Sequence, residues 1–252
     1  IIVALSFGFI VLMNGYAQSG FFIKETAPYN QAPMDIKSIG DSYFAAIATY
    51  YIDNSYEGKT DISRYNHQGE MISSVEFNCD DCYYNFFDKI IPLNQSGFMV
   101  IGYQKLIADT VCSMKICKMD TSLNVIWEKS YKLIGQGYRM TKYTICPDST
   151  IMIGATVIGG PPWYNSHVLL MQINYDGNSL RSVYMQGSNT FSTMLSDIVW
   201  IAGHFKVAVE GFHNGYSSIS TLDVDTNLNV VGCSPTPYNI TNCKSTLAVS
   251  DS

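Results

Sequence analysis

Short stretches in which apolar and polar residues alternate fill most of the chain between residues 35 and 232, and turn-forming residues separate them. Alternation with a period of two is typical of β-strands, because successive side chains of a strand point to opposite faces of a sheet. Examples are "DIKSI", "YFAAIATY" and "EMISSVEF", with turns such as "NHQG" between such stretches. The pattern therefore predicts an all-β protein.

The predicted strands recur as a unit. Each unit consists of a strand, a short turn, a strand, a longer loop, a strand, a short turn and a final strand. We place these units at about residues 35–78, 88–131, 142–185 and 197–232. Aligning the turn before each final strand brings Gly69, Leu123, Gly177 and Leu228 into register, in steps of 54, 54 and 51 residues. Four antiparallel strands with a period of about 50 residues are typical of a β-propeller blade.

Composition agrees with this fold and narrows the partners. A chain of 252 residues that is 47% hydrophobic can bury a full core, and its 18 Tyr and 12 Phe favour strands. The net charge is −6 and no Lys/Arg cluster is present, which makes nucleic acid or an anionic membrane surface an unfavourable partner.

The two ends of the sequence suggest export and an incomplete ring. Residues 1–17 form an uncharged apolar run with a small-residue exit, which predicts a secretory signal peptide; a membrane anchor is the alternative. We expect a secreted or cell-surface protein with no membrane span in its mature chain. Residues 18–233 would form the propeller repeats, with "FFIKET" at 21–26 as a closing strand. Residues 234–252 would be a linker or the start of a further blade.

Strand parity assigns the loops to two faces, because an antiparallel chain changes end at every strand. The short turns share one face. The opposite face carries the loops between second and third strands and the connections between repeats. These loops are longer than the turns and richer in aromatic residues. Loops on a rigid scaffold commonly carry binding residues. The candidate ligand-binding residues on this loop-rich face are Tyr56, Trp163, Tyr164, His213 and Tyr216. Trp163 folded back onto its own blade is the alternative for that side chain.

The stretch "NCDDCYYNFF" contains Cys79 and Cys82 in a Cys-x-x-Cys spacing, followed closely by Tyr and Phe. Structural zinc needs two more ligands that the sequence does not supply in a matching motif, and a thioredoxin-like pair needs a βαβ context. Secretion favours a disulfide in this connecting loop, and we name Cys79, Cys82, Cys233 and Cys243 as disulfide candidates. No metal or cofactor is expected, although Asp80 and Asp81 leave calcium open.

Aspartates recur at the start of the first strands, as Asp35, Asp88 and Asp197, and Thr141 stands at the third repeat's place. First strands line the channel of a propeller, so these carboxylates could serve as the acid and base of a glycosidase. The alternative is an Asp that bonds to backbone and stabilises the connection into the strand. Recurrence favours the second interpretation, because structural roles repeat and active sites do not.

The segments "SGFMVIGY", "ICKMDTSLNVIWEKSY" and "LLMQINYDGNSL" resemble the blades of secreted bacterial β-propeller repeat proteins. The resemblance covers roughly residues 22–232 and implies a fold more than an activity, because propellers include adhesins, enzymes and scaffolds. We expect a binding or adhesion module that recognises a glycan or protein ligand through its loop-rich face. The alternative is a polysaccharide hydrolase or lyase that uses the channel-mouth aspartates Asp35, Asp88 and Asp197.

Overall fold

A computed structural model describes residues 30–50, 58–79, 81–94, 97–133, 135, 137–159, 166–186, 192–213 and 216–234. Within these residues the regular secondary structure consists of β-strands, and no helix is present. In chain order the strands are β1 (Asn30–Ile39), β2 (Ser42–Tyr50), β3 (Gly58–Tyr65), β4 (Met71–Phe77), β5 (Cys82–Asn94), β6 (Gly97–Leu106), β7 (Ser113–Asp120), β8 (Val125–Lys132), β9 (Gly137–Ile145), β10 (Ile151–Ile158), β11 (Ser166–Ile173), β12 (Ser179–Gln186), β13 (Ser192–Ile201), β14 (His204–His213), β15 (Tyr216–Val224) and β16 (Val230–Ser234).

The strands form four sheets of four, and in each sheet neighbours along the chain are neighbours in space: β1-β2-β3-β4, β5-β6-β7-β8, β9-β10-β11-β12 and β13-β14-β15-β16. We call them the first to the fourth sheet. This antiparallel up-and-down order is that of a propeller blade. The prediction of an all-β chain with four blade-like repeats is confirmed.

The first strand of each sheet begins about five residues earlier than the sequence pattern predicts. The reason is a β-bulge in each of these strands, at Pro33/Asp35 in β1, Phe87/Lys89 in β5 and Leu195/Asp197 in β13, with a matching shift in β9 opposite Ala155/Thr156. A bulge adds one residue and reverses the phase of the alternation. The alternation in the sequence is therefore interrupted at the bulge, whereas the strand continues through it.

The turns before β4, β8, β12 and β16 are built in the same way. Asp120 illustrates the bonding: its Oδ1 accepts the backbone N–H of Ser122 at 2.8 Å and of Asn124 at 2.9 Å. Asn66, Asn174 and Asp225 make the equivalent pair of bonds. These side chains replace the hydrogen-bond partners that a reversing backbone loses.

The fourth residue of each of these turns has a positive φ: 82° at Gly69, 67° at Leu123, 72° at Gly177 and 66° at Leu228. Glycine adopts this conformation without strain, whereas leucine does so at a cost. Leu123 and Leu228 are 7% and 6% exposed, and each belongs to a hydrophobic core. Burial of the leucine side chain offsets the backbone strain in two of the four turns.

The chain divides into two compact units. One comprises Ile1–Ile107 with Cys117–Glu128, and the other comprises Ala108–Ile116 with Lys129–Ser252. The core of the first unit packs the first sheet against the second, with Phe44, Phe87 and Phe98 fully buried. The core of the second unit packs the third sheet against the fourth, with Met152, Val207 and Val224 fully buried.

The predicted signal peptide at 1–17 and closing strand at 21–26 lie outside the described residues, and so do residues 235–252. In the described part of the chain, no helix has the length and apolar character needed to cross a membrane.

Candidate functional site

The loops that strand parity assigns to one face do meet one another within each unit. In the first unit, the backbone N–H of Ile107, just after β6, donates to the carbonyl of Asp81 in the connection that precedes β5, at 2.8 Å. In the second unit, the N–H of Cys112 donates to the carbonyl of Gly135, and the N–H of Leu133 donates to the carbonyl of Cys112, both at 3.0 Å. Loops from second strands therefore lie beside the connections between repeats.

One part of this loop-rich face is described in detail. We call it the open end of the second sheet, and it comprises Cys79, residues 81–86 and residues 103–107. It lies where β5 begins and β6 ends, opposite the short turn that joins these two strands. All of its residues belong to the first compact unit.

A disulfide between Cys79 and Cys82 closes the turn into β5, with the two Cα atoms 5.4 Å apart. The N–H of Cys82 donates to the carbonyl of Cys79 at 3.2 Å. The side-chain amide of Gln104 on β6 donates to both sulfur atoms, at 3.4 Å and 3.2 Å. The disulfide and Gln104 together fix the start of β5 to the end of β6.

The two sulfurs are bonded to each other rather than held apart around a metal. Among the described residues, no three His, Cys, Asp or Glu side chains are grouped so that they could hold a metal ion. Cys112, Cys117 and Cys146 are buried and outside the disulfide. Burial also raises the pKa of the Cys146 thiol.

Three aromatic rings pack behind the disulfide. Tyr84 contacts Tyr103 edge-on with ring centroids 5.2 Å apart, and it stacks on Phe86 at 6.2 Å. Phe86 and Tyr103 complete the triangle at 5.5 Å. Such offset and edge-on pairs add stabilisation of about 0.5–1.5 kcal/mol each beyond simple burial. Tyr84 and Tyr103 are half-buried, whereas Phe86 is buried beneath them.

Two glycines make room for this cluster. A Cβ added at Gly58 would lie 1.8 Å from the Phe86 ring, and a Cβ added at Gly102 would lie 1.7 Å from the Phe86 carbonyl oxygen. Both distances are far below van der Waals contact. The backbones of β3 and β6 therefore approach Phe86 as closely as a polypeptide can, and the ring has little freedom to move.

Tyr83 is the exposed aromatic of the open end, with 41% of its surface accessible. The ammonium of Lys105 lies 5.7 Å from its ring centroid, which is the geometry of a cation–π contact. Ile107, next to the disulfide turn, is 55% exposed. An exposed ring, a cation and an apolar side chain thus share a rigid edge.

Asp35 accepts hydrogen bonds from the backbone of two strands. Its Oδ1 accepts the N–H of Ile36 and its Oδ2 accepts the N–H of Ile90 on β5, both at 3.0 Å. Lys37 lies 3.5 Å from Oδ1. Asp197 makes the same local bond to the N–H of Ile198 at 2.9 Å. This arrangement is the one expected of an aspartate that bonds to backbone and stabilises the connection into the strand, the alternative to a catalytic role.

The remaining first-strand positions do not point to water. Asp88 is 7% exposed in the bulge of β5, and Thr141, at the third repeat's place, is fully buried. Asp88 and Thr141 thus differ in side-chain chemistry but are both buried, as expected of residues that connect a strand to the neighbouring elements.

Several predicted site residues cannot be placed. Tyr56, Trp163, Tyr164, Asp80 and Cys243 lie outside the described residues. His213, Tyr216 and Cys233 fall within strands, at the end of β14, the start of β15 and in β16, but their side chains are outside the description. Their assignment to a binding site or a disulfide stays a prediction.

The structure adds Tyr83, Tyr84, Tyr103, Gln104 and Lys105 to the candidate site. The aromatic run behind Cys82 was a signal for the first two. The other three come from β6, and β5 and β6 pair through three register shifts. Because each shift changes which residues oppose one another, sequence spacing alone does not bring these residues to the disulfide.

Neither a family profile nor a curated protein matches the sequence. Among solved structures, a point variant of the Synechocystis apocarotenoid oxygenase aligns with 79% of this chain and 51% of its own, at 6% identity and a TM-score of 0.45. An exo-1,5-α-L-arabinanase from a bovine ruminal metagenomic library aligns with 79% of this chain and 77% of its own, at 8% identity and a TM-score of 0.44. The chain spans about half the length of the oxygenase. The fold assignment rests on the strand order and register described above.

Proposed function

We propose that the protein is a secreted or cell-surface binding module that recognises a carbohydrate through the open end of the second sheet. The observation that carries this proposal is the exposed ring of Tyr83, backed by Lys105 at 5.7 Å. The C–H face of a pyranose is apolar while its rim carries hydroxyl groups. A tyrosine ring with polar neighbours matches both parts, since it has an apolar face and a polar edge.

Rigidity supports a binding role for this edge. The disulfide, the two bonds from Gln104 and the aromatic triangle hold the backbone on both sides of Tyr83 in place. A contact surface that is ordered before binding loses less conformational entropy when the ligand arrives. A weakly interacting ligand such as a sugar benefits most from this.

Location outside the cytoplasm is supported by the Cys79–Cys82 disulfide and by the apolar run at residues 1–17. Disulfides persist in oxidising compartments and are rare in the cytosol. A glycan or protein at the cell exterior is therefore the class of partner to test first.

The bonding of Asp35 favours binding over acid–base catalysis by this residue. Both of its carboxylate oxygens accept backbone N–H groups. A general acid must release a proton to a substrate within hydrogen-bond reach, and a carboxylate already occupied by two amides is poorly suited to that.

The test is a screen of the purified protein on a glycan array, followed by calorimetric titration of the best oligosaccharide. Tyr83→Ala should weaken its binding by about 1–3 kcal/mol, the range of a buried aromatic contact. Ile126→Ala is the matched control, because Ile126 is 56% exposed on β8 of the same sheet and lies at the opposite end. It should leave affinity unchanged.

Two outcomes would overturn the proposal. One is equal affinity in Tyr83→Ala and the unmodified protein. The other is hydrolysis or elimination of a polysaccharide by the unmodified protein that is lost in Asp88→Asn, which would instead establish the hydrolase or lyase function.

A further inference from the structure

The start of β5 contains a bulge where this strand pairs with β6. Cys82 pairs with Leu106, and Tyr84 pairs with Lys105. Tyr83 is the extra residue between these two pairs. At a bulge, two residues of one strand lie opposite a single residue of the partner strand, and a side chain of the bulged strand is redirected. Tyr83 and Tyr84 therefore both lie opposite Lys105.

Lys105 differs in its contacts from three other lysines. Lys37, Lys59 and Lys206 each form an ion pair with a carboxylate. Among the described residues, no carboxylate forms an ion pair with Lys105, and its ammonium instead lies 5.7 Å from the ring centroid of Tyr83. A ligand anion that approaches Lys105 would therefore not have to displace a carboxylate of the described chain.

The contact between Lys105 and Tyr83 leaves the ammonium available to a ligand. A distance of 5.7 Å is close to the outer limit of a cation–π contact, about 6 Å. The lysine side chain is flexible, and its ammonium carries three rotatable N–H donors. Lys105 can therefore bind an anionic group at the edge of the Tyr83 ring while the apolar face of a sugar lies on that ring.

The net charge of −6 does not oppose such a contact strongly. At physiological ionic strength, exposed charges that are more than about 8 Å apart are largely screened from one another. The ammonium of Lys105 would touch the ligand anion, so this attraction is screened far less than repulsion from distant carboxylates. The local charge therefore decides which saccharide the open end prefers.

We propose that the open end of the second sheet binds an acidic saccharide, and that Lys105 contacts its carboxylate or sulfate group while Tyr83 stacks on its sugar ring. This inference rests on the proposed carbohydrate-binding function and narrows its ligand class. Carboxylate and sulfate share the chemistry that an ammonium recognises as a point charge, negatively charged oxygen acceptors. The disulfide and Gln104 hold the backbones of β5 and β6 in place, so both side chains start from the same rigid edge.

The test uses matched oligosaccharides that differ only in charge. Hexuronate oligosaccharides of the gluco, manno and galacto series are titrated beside the neutral forms made by reducing their carboxyl groups, and beside sulfated derivatives of these neutral forms. The protein variants are Lys105→Gln, Lys105→Arg and the control Lys118→Gln. Lys118→Gln removes the same charge from β7 of the same sheet, near the short-turn end.

We expect the unmodified protein to bind at least one acidic form about tenfold more tightly than its neutral counterpart. Lys105→Gln should remove this preference, whereas Lys105→Arg should retain most of it because the charge is kept. Lys118→Gln should bind like the unmodified protein. Added salt should weaken binding of the acidic form to the unmodified protein and much less to Lys105→Gln. The affinities of the carboxylated and sulfated forms identify which anionic group is recognised.

Three outcomes would overturn this inference: binding to none of the acidic forms, equal affinity for acidic and neutral forms, and an acidic preference that survives in Lys105→Gln or is lost equally in Lys118→Gln. The proposed function is judged separately. If a neutral oligosaccharide binds and Tyr83→Ala weakens its binding, the carbohydrate site stands and only the acidic class is wrong. If Tyr83→Ala binds every form as the unmodified protein does, both proposals fail.

Discussion

The two ends of the second sheet are built on different principles. At its short-turn end, Asp120 bonds to the backbone of its own turn, and the turns of the other three sheets repeat this bonding. At its open end, a disulfide, Gln104 and three aromatic rings hold an exposed tyrosine. Within the described part of the chain, that combination occurs in the second sheet alone.

We expect this difference to separate residues that stabilise the fold from residues that bind the ligand. A feature that recurs in every repeat answers a need that every repeat has, such as reversing the chain. Exposed side chains on loops that a rigid sheet supports are candidates for binding. Asp120 and its equivalents in the other turns belong to the first class, and we propose that Tyr83 belongs to the second.

The largest expected effect comes from filling the space beside Phe86. Gly102→Ala should lower the free energy of unfolding by more than about 3 kcal/mol, because its Cβ meets a backbone carbonyl that no rotamer change can move. Gly137→Ala is the control, since its nearest atom would be at 3.5 Å, an ordinary contact. Urea denaturation of both variants measures the difference. Equal stability of the two would show that the approach of β6 to Phe86 is not as close as described.

At the short-turn end, Gly177→Val should destabilise the protein by about 2–3 kcal/mol, since a β-branched residue is strained at a φ of 72°. Gly177→Leu should cost less, because Leu123 and Leu228 already adopt this conformation in equivalent turns. Affinity per folded molecule should be unchanged in both, as it should in Asp176→Ala. Lost affinity in a fully folded Gly177 variant would contradict the separation of the two ends.

The aromatic loop residues outside the described part of the chain offer a further test of whether the loop-rich face binds the ligand. Trp163→Ala, Tyr164→Ala and Tyr56→Ala should each weaken ligand binding by about 1–3 kcal/mol with little change in stability, if these predicted binding residues contact the ligand. Titration calorimetry and thermal melting of the same samples separate the two quantities. Variants that melt early and bind normally would instead place these rings in the core.

The smallest expected effect is a loss of stability at low pH. Hydrogen bonds from Asn124 and Ser122 lower the pKa of Asp120 from its ordinary value of 3.8. A lowered pKa in the folded state means that this carboxylate stabilises the protein above the ordinary value, and that the stabilisation disappears as the pH falls through the lowered pKa. Asp120→Asn keeps an amide oxygen for the turn, as Asn66 does naturally, and does not titrate.

Thermal melting of the unmodified protein and of Asp120→Asn between neutral pH and pH 2 checks this. The unmodified protein should lose more stability than the variant below about pH 4, near the ordinary pKa of an aspartate. Parallel acid-melting curves would show that the turn bonds do not depend on the charge.

The repeats were predictable because their signals are local. Alternation and turn residues predicted the strands. The register of Gly69, Leu123, Gly177 and Leu228 located the turns, although leucine rarely adopts the positive φ that two of these turns require. The bulges were not predictable, because they depend on the partner strand. Because of the bulges, the strands start earlier than predicted. The register shifts between β5 and β6 also bring Tyr103 and Lys105 close to the cysteine turn, which sequence spacing does not indicate.

The most direct test of the proposed carbohydrate site is hydroxyl-radical footprinting of the protein with and without the oligosaccharide that binds best in the array. A carbohydrate site at the open end predicts protection of Tyr83, Tyr84 and Tyr103, with no change at Met71 or Ile126 beside the short turns. Protection confined to residues beside the short turns, with Tyr83 equally reactive in both samples, would contradict it.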